Sequence, residues 1–221
     1  EYSKEELSAL VEVIKQHPNL VIISDDIYNQ LSFNEEGLSS HILNVEPSLF
    51  DRCISINGMS KAYSMTGWRI GWAVGPEPVI KAMASFESQT TGAPSSIAQW
   101  ASVTAINDCK KDVKESLVAL SERKDFFLNK INSVNGLKVF SPQGAFYLWV
   151  NIQEWMGKTY EGSQLQTSSD VAEKLLDNEM LAVVPGIEFG LDGYLRFSFA
   201  ASREDLEKAT QRLIHFQSQL S

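Results

Sequence analysis

Three short apolar runs, the first two ending in residues with ionisable or nucleophilic side chains, constrain this chain most. N-L-V-I-I-S, Asn19 to Ser24, follows His17-Pro18 and stops at Asp25-Asp26. C-I-S-I, Cys53 to Ile56, leads into Asn57-Gly58-Met59-Ser60-Lys61, and I-G-W-A-V, Ile70 to Val74, is closed by Gly75-Pro76. Continuous apolar runs of this length between turn formers read as strands buried on both faces. Buried strands alternating with helices make an α/β sheet. The first helix precedes the first strand: Ser3 with Glu6 has the form of a capping box, and Leu7, Leu10, Val11 and Ile14 form its apolar stripe. A crossover helix ahead of the first strand predicts further strands upstream of Glu1.

The chain then changes texture. An amphipathic helix is expected between Pro76 and Thr90, T-T-G-A-P-S-S breaks the pattern at Thr90 to Ser96, and a long helical stretch runs from Ile97 to about Val134, interrupted near Asp108. Beyond it, strands are expected at Leu137 to Phe140, Ala145 to Val150, Leu181 to Val184 and Tyr194 to Phe199. Trp155 to Thr167 reads as a loop and Ser169 to Asn178 as a short helix. Ser202 and Asp205 open a last helix with Leu206, Ala209, Leu213 and Phe216 on one face. The expected organisation is therefore an incomplete α/β lobe over 1–105 and a smaller α+β lobe over 106–221, with 97–134 as the helical connection.

Twenty-eight acidic against 19 basic residues give a net charge of -9, and no basic stripe interrupts it. That argues against a nucleic-acid partner, which needs clustered cations to neutralise phosphates. No apolar run is long enough to span a membrane, and the start lacks a signal-peptide pattern, so the expectation is a cytoplasmic protein. Cys53 and Cys109 fit two reduced thiols. His17, His41 and His215 are dispersed without metal-ligand spacing, so surface or structural roles and no metal site are expected.

Chemistry is expected where the strands end, because open α/β sheets bind ligands beyond the carboxyl ends of their strands. Asp25 and Tyr28 follow the first run; position alone leaves open whether Asp25 or Asp26 merely caps a turn. Lys61 and Ser60 follow the second, where an isolated lysine would read as a solvated side chain. Arg69 precedes the third, where partial burial would demand an anion, either a carboxylate of the protein or a bound phosphate.

Taken together, G-M-S-K-A-Y-S-M-T-G-W-R-I-G, Gly58 to Gly71, resembles the lysine attachment segment of the class I and II aminotransferases, members of the fold type I pyridoxal-phosphate family. S-D-D-I-Y supplies an Asp-x-x-Tyr, with Asp25 thirty-six residues before Lys61. V-P-G-I-E-F-G and G-Y-L-R-F-S resemble the segments leading to the arginine that clamps a substrate carboxylate, here Arg196. The resemblance covers essentially the whole chain and is greatest to the bacterial aspartate aminotransferase subgroup, whose members also include enzymes acting on aromatic amino acids or prephenate.

The resemblance implies a mostly parallel, three-layer large domain plus a small α+β domain, and pyridoxal 5'-phosphate as cofactor. It implies Lys61 as the Schiff-base lysine and proton carrier, Asp25 at the pyridine nitrogen, Tyr28 at the ring O3' and Arg69 at the phosphate. Ser60 would assist at the phosphate, although some relatives place a serine where this chain has Gly58. Arg196 would bind the substrate carboxylate. The implied reaction moves the amino group of L-aspartate, or a related dicarboxylic or aromatic amino acid, to 2-oxoglutarate, in a homodimer. Parts of the site that the family places before the lysine segment lie outside these 221 residues, so the chain alone is expected to be inactive. A carbon-sulfur lyase of the same fold type and the cofactor-binding effector domain of a transcription regulator are the alternatives.

Overall fold

Ser3 opens the first helix as expected. In the computed structural model, which describes all residues from Glu1 to Ser221, α1 (Lys4–Lys15) starts with a reciprocal capping box: Ser3 accepts the Glu6 N–H, and the Glu6 carboxylate accepts the Ser3 N–H. Its far end is closed by Arg52, whose guanidinium donates to the carbonyls of Ile14, His17 and Leu20. Ile14 lies in the last turn of α1, and His17 and Leu20 in the turn that follows, so one guanidinium ties the helix end to its exit. The chain continues through β1 (Ile22–Asp25), the short α2 (Ile42–Val45), β2 (Cys53–Gly58), β3 (Gly71–Val74), α3 (Glu77–Gln89), α4 (Ser96–Asp108) and α5 (Lys110–Asn132). The break expected near Asp108 is thus the joint between α4 and α5.

The molecule divides into two compact units, Glu1–Leu117 with Gln143–Ala145, and Val118–Pro142 with Phe146–Ser221. The division falls within α5.

In the first unit, β1 pairs parallel with β2. β3 pairs antiparallel with β2, Gly58 opposite Gly71. The twelve residues between β2 and β3 hold no α-helix to carry a parallel crossover, and the chain returns antiparallel. Alternation splits the sheet into two faces. Ile22 and Cys53 lie on one face, packed with Val11, Ile14, Ile42 and Leu49 in a small apolar cluster. The other face carries Ile23, which is 67% exposed. β1 is therefore covered on one face only, not on both as its unbroken apolar run suggested. Trp68 and Trp72 are likewise exposed.

The second unit is built on a four-stranded antiparallel sheet, ordered β4 (Lys138–Val139), β5 (Tyr147–Asn151), β9 (Tyr194–Ser198) and β8 (Val184–Pro185). Helices α6 (Ser168–Glu179) and α7 (Arg203–Ser218) complete it. Leu148, Val150 and Leu195 from the strands and Leu175, Leu213 and Phe216 from the helices are fully buried. Phe216 stacks on Tyr160 and packs against Trp155.

Two expectations for this unit need correction. Trp155 to Thr167 is not all loop: β6 (Thr159–Tyr160) and β7 (Ser163–Gln164) form a tight hairpin around Glu161 and Gly162, both with positive φ. The strand expected at Leu181 to Val184 starts only at Val184. Met180 adopts a left-handed conformation and Leu181 N–H bonds back to the Leu175 carbonyl, so this segment closes α6 instead of joining the sheet. No helix is long and apolar enough to cross a membrane.

Candidate active site

The carboxyl ends of β1 and β2 lie side by side because the two strands are parallel neighbours, with Asp25 opposite Ile56. Asp25 is the last residue of β1, exposed, and its Oδ1 accepts the Ile27 N–H at 3.3 Å in a local turn. Tyr28 follows in the turn, half-buried. Lys61 follows β2, also half-buried, and its Nζ stands 5.7 Å from the centroid of the Tyr28 ring. The structure thus brings the amine of Lys61 to the same end of two adjacent strands as the carboxylate of Asp25 and the phenol of Tyr28, which come much earlier in the sequence.

The local chain geometry explains how Lys61 is held. Met59 and Ala62 on either side of it are buried, Met59 N–H donates to the Ile70 carbonyl, and the Ser64 N–H closes a turn on the Lys61 carbonyl. Gly58 is dictated by the same closure: a Cβ there would stand 2.7 Å from the Ile70 carbonyl oxygen and 3.2 Å from Gly71 Cα. That backbone crowding explains why this chain carries glycine three positions before the lysine. Ser60 contributes through its carbonyl, which accepts the Thr66 hydroxyl at 3.0 Å.

Arg69 departs from expectation. It is not partly buried; it lies before β3, exposed, with left-handed φ and ψ of 56° and 49°. Its guanidinium donates to the Thr66 carbonyl at 2.9 Å, and no carboxylate is paired with it. A non-glycine residue in this conformation is uncommon and costs on the order of 1 kcal/mol.

Arg196 belongs to the second unit. It projects from β9 opposite Trp149, half-buried, with its guanidinium 4.4 Å from the Tyr147 ring centroid and 4.7 Å from that of Phe189. Tyr147, Val184 and Ser198 line a cavity of about 160 Å³ with it. Two aromatic faces fix the guanidinium plane without using its donors, which suits a planar anion such as a carboxylate.

One polar group near the site was not singled out as functional from sequence. Asp26, Ser24, Ser55 and His41 form a hydrogen-bonded cluster on the packed face of the β1–β2 sheet. Its signal in the sequence is the polar alternation Ser24-x-Asp26 at the end of an apolar strand. Burial pushes the neighbouring Cys53 thiol up, opposed by its hydrogen bond with Ser55, so Cys53 stays a neutral thiol.

Comparison with known proteins gives the family of the chain. The family model described as aminotransferase class I and II matches residues 1–213. The chain belongs to that family. A probable aspartate/prephenate aminotransferase of Rickettsia bellii is 41% identical over 214 residues, which cover 96% of this chain and 53% of the relative. Among solved structures, the aspartate aminotransferase of Rhizobium meliloti superposes with a TM-score of 0.94 at 38% identity, covering 100% of this chain and 55% of that one. The aspartate aminotransferase of Thermus thermophilus with maleate gives 0.84 at 37% identity, covering 97% and 53%. The chain thus spans about half the length of the aminotransferases it matches.

Proposed function

We propose that this chain carries the lysine-bearing part of a pyridoxal-phosphate-dependent aminotransferase, with Lys61 as the covalent anchor. The observation that carries the reading is the convergence of Lys61, Tyr28 and Asp25 at the ends of β1 and β2 in a chain of this family. The donor set fits the cofactor group by group. Asp25 is an exposed carboxylate without a cation partner, suited to a protonated ring nitrogen. Tyr28 offers a hydroxyl for the ring O3', Lys61 an amine for the aldehyde, and Arg69 a guanidinium without a carboxylate for the phosphate. Ser60 is a weaker candidate for the phosphate, because some relatives place the serine at the position that is Gly58 here.

Pyridoxal phosphate, when bound, supplies an aldehyde carbon that takes up the amino group and a ring that takes up the electrons released at the substrate Cα. Lys61 would anchor it through its amine, and the same amine would accept the proton from that Cα. Asp25 would hold the proton on the ring nitrogen, which keeps the ring able to take up those electrons. Arg196 orients the amino acid through a bidentate pair with its α-carboxylate. Aspartate, prephenate and maleate, the compounds in the names of the similar proteins, all carry two carboxylates. A dicarboxylic amino acid as donor and 2-oxoglutarate as acceptor are the proposed substrates, in a cytoplasmic homodimer. Sedimentation tests the dimer.

The decisive experiment adds pyridoxal phosphate, reduces with borohydride and maps the labelled peptide. A single adduct on Lys61 that is lost in Lys61→Ala is expected. Label scattered over several lysines, or unchanged in Lys61→Ala, overturns the assignment.

A further inference from the structure

Asp25 and Tyr28 lie on a short segment that is held from behind by side chains the proposed chemistry does not use. β1 alternates, so Asp25 points to one face while Ser24 and Asp26 share the other, with Ser24 opposite Ser55 of β2. Asp26 is engaged at every polar atom on that side. Its Oδ1 accepts the Ser24 hydroxyl at 2.8 Å, its Oδ2 lies 3.1 Å from His41 Nε2, and its N–H donates to the Ile56 carbonyl at 2.8 Å. His41 precedes α2 and its Nδ1 accepts the Leu43 N–H at 3.1 Å. An acceptor at Nδ1 leaves the ring proton on Nε2, which faces both Asp26 Oδ2 and Ser55 Oγ, the latter at 2.9 Å. The Asp26 and His41 side chains are only 16% and 22% exposed.

A second pin lies just past Tyr28. The Asn57 side chain, near the end of β2, donates to Asn29 Oδ1 at 3.1 Å, and the Asn29 carbonyl accepts the Ser39 N–H at 2.8 Å. The Asp25–Tyr28 segment is therefore fastened to β2 at Asp26 and again at Asn29. Asp25 itself has one long local hydrogen bond. Of two adjacent aspartates, one is spent on structure and the other presented.

We propose that His41 and Asp26 are positioning residues: their hydrogen-bonded pair, fastened to β2 through Ser55, fixes the backbone of Asp25–Tyr28 so that the Asp25 carboxylate and Tyr28 hydroxyl are preset for the cofactor ring. The proposal rests on the roles assigned to Asp25 and Tyr28 above. The physical reason is preorganisation: a carboxylate and a phenol ordered during folding need not be ordered again at binding, and the saved entropy appears as affinity.

His41 has two separable hydrogen bonds, and the test uses that. His41→Asn keeps an acceptor at the position of Nδ1 and loses the reach to Asp26; His41→Gln places a donor at the position of Nε2 and loses the cap. Val11→Ala serves as a control that weakens the neighbouring apolar cluster without touching the polar one. Two quantities are measured in each variant of the chain: amide hydrogen exchange over Asp26–Leu31 without cofactor, and the dissociation constant for pyridoxal phosphate. His41→Ala and His41→Asn are expected to speed local exchange and to weaken cofactor binding by about tenfold, His41→Gln to restore most of both, and Val11→Ala to leave the dissociation constant within about twofold. Equal behaviour of His41→Asn and wild type would overturn the proposal, as would a Val11→Ala effect as large as that of His41→Ala. If wild type fails to label at Lys61, the functional reading falls, and exchange alone then decides the clamp: faster exchange in His41→Asn supports it, unchanged exchange overturns it.

Discussion

The two larger sheets of this molecule handle the same alternating geometry in opposite ways. In the second unit β5 and β9 bury every second residue, with Leu148, Val150 and Leu195 at 0% exposure. In the first unit β1 and β3 bury none of their residues fully, and Ile23 and Val74 remain more than half exposed. A sheet with one face sealed by its own helices is stabilised from within, since each buried aliphatic side chain contributes about 1.5–3 kcal/mol. A sheet with open apolar positions and exposed ionisable ends, as at Asp25 and Arg69, holds its surface available for other groups. Alternate burial marks the sheet of one unit, and the lysine with its neighbours lies in the other.

The largest test of that contrast is a pair of aromatic deletions. Phe216→Ala removes a fully buried ring stacked on Tyr160 and is expected to cost about 3–5 kcal/mol, against less than about 1 kcal/mol for Trp72→Ala. Urea unfolding with near-ultraviolet circular dichroism reads both; comparable costs would erase the contrast. Next in size, Gly58→Ala forces a Cβ against the Ile70 carbonyl and is expected to destabilise by about 1–3 kcal/mol and to loosen the Lys61 turn, whereas Gly67→Ala meets nothing within 4 Å. A well-tolerated Gly58→Ala would show that the β2–β3 closure is softer than its geometry indicates.

The paired histidines sharpen the comparison further. His215 holds the buried Glu179 carboxylate at 2.7 Å in the second unit, with Tyr160 at 3.4 Å from the same oxygen. Burial, followed by the charge of Glu179, raises the Tyr160 hydroxyl above its usual range and keeps it a neutral donor. Glu179→Ala leaves that buried hydroxyl without its acceptor, at an expected cost of about 1–3 kcal/mol in thermal unfolding. Its effect on cofactor binding should be absent, unlike that of His41→Asn; a matching loss would mean that both pairs act only through stability.

What could be read from the sequence was local or motif-borne. Ser3-Glu6 and Ser202-Asp205 announce their helices because a cap is made within four residues. The ends of β1 and β2 mark Asp25 and Lys61 because strand ends place function in such sheets. Exposure could not be read: the apolar run at Ile22–Ile23 is the same whether one face is covered or two. The conformation of Arg69 was hidden as well, since nothing in T-G-W-R-I distinguishes a residue entering a strand from one turned back by a left-handed φ. The His41–Asp26–Ser55 cluster joins residues that are fourteen or fifteen positions apart, so only folding brings it into view.

The smallest expected effect concerns acid. Lys15 and then Ser48 hydrogen-bond Glu46 and lower its pKa from 4.5 to about 2. A carboxylate whose folded pKa lies below its unfolded value contributes stability that is fully present above the unfolded pKa and is lost as pH falls through the folded one. The Glu46 contribution should therefore be intact at pH 6, decline from about pH 4.5, and be gone near pH 2. The contact is at the surface and is screened by solvent and salt, so its size stays small. Comparing the midpoint of urea unfolding for wild type and Glu46→Gln at pH 6 and pH 3 isolates it: the gap between the two proteins should narrow at the lower pH. A gap that stays constant would mean that Glu46 acts through its Ser48 turn and not through its charge, which would leave the α1 face of the first unit held by apolar packing and Arg52 alone.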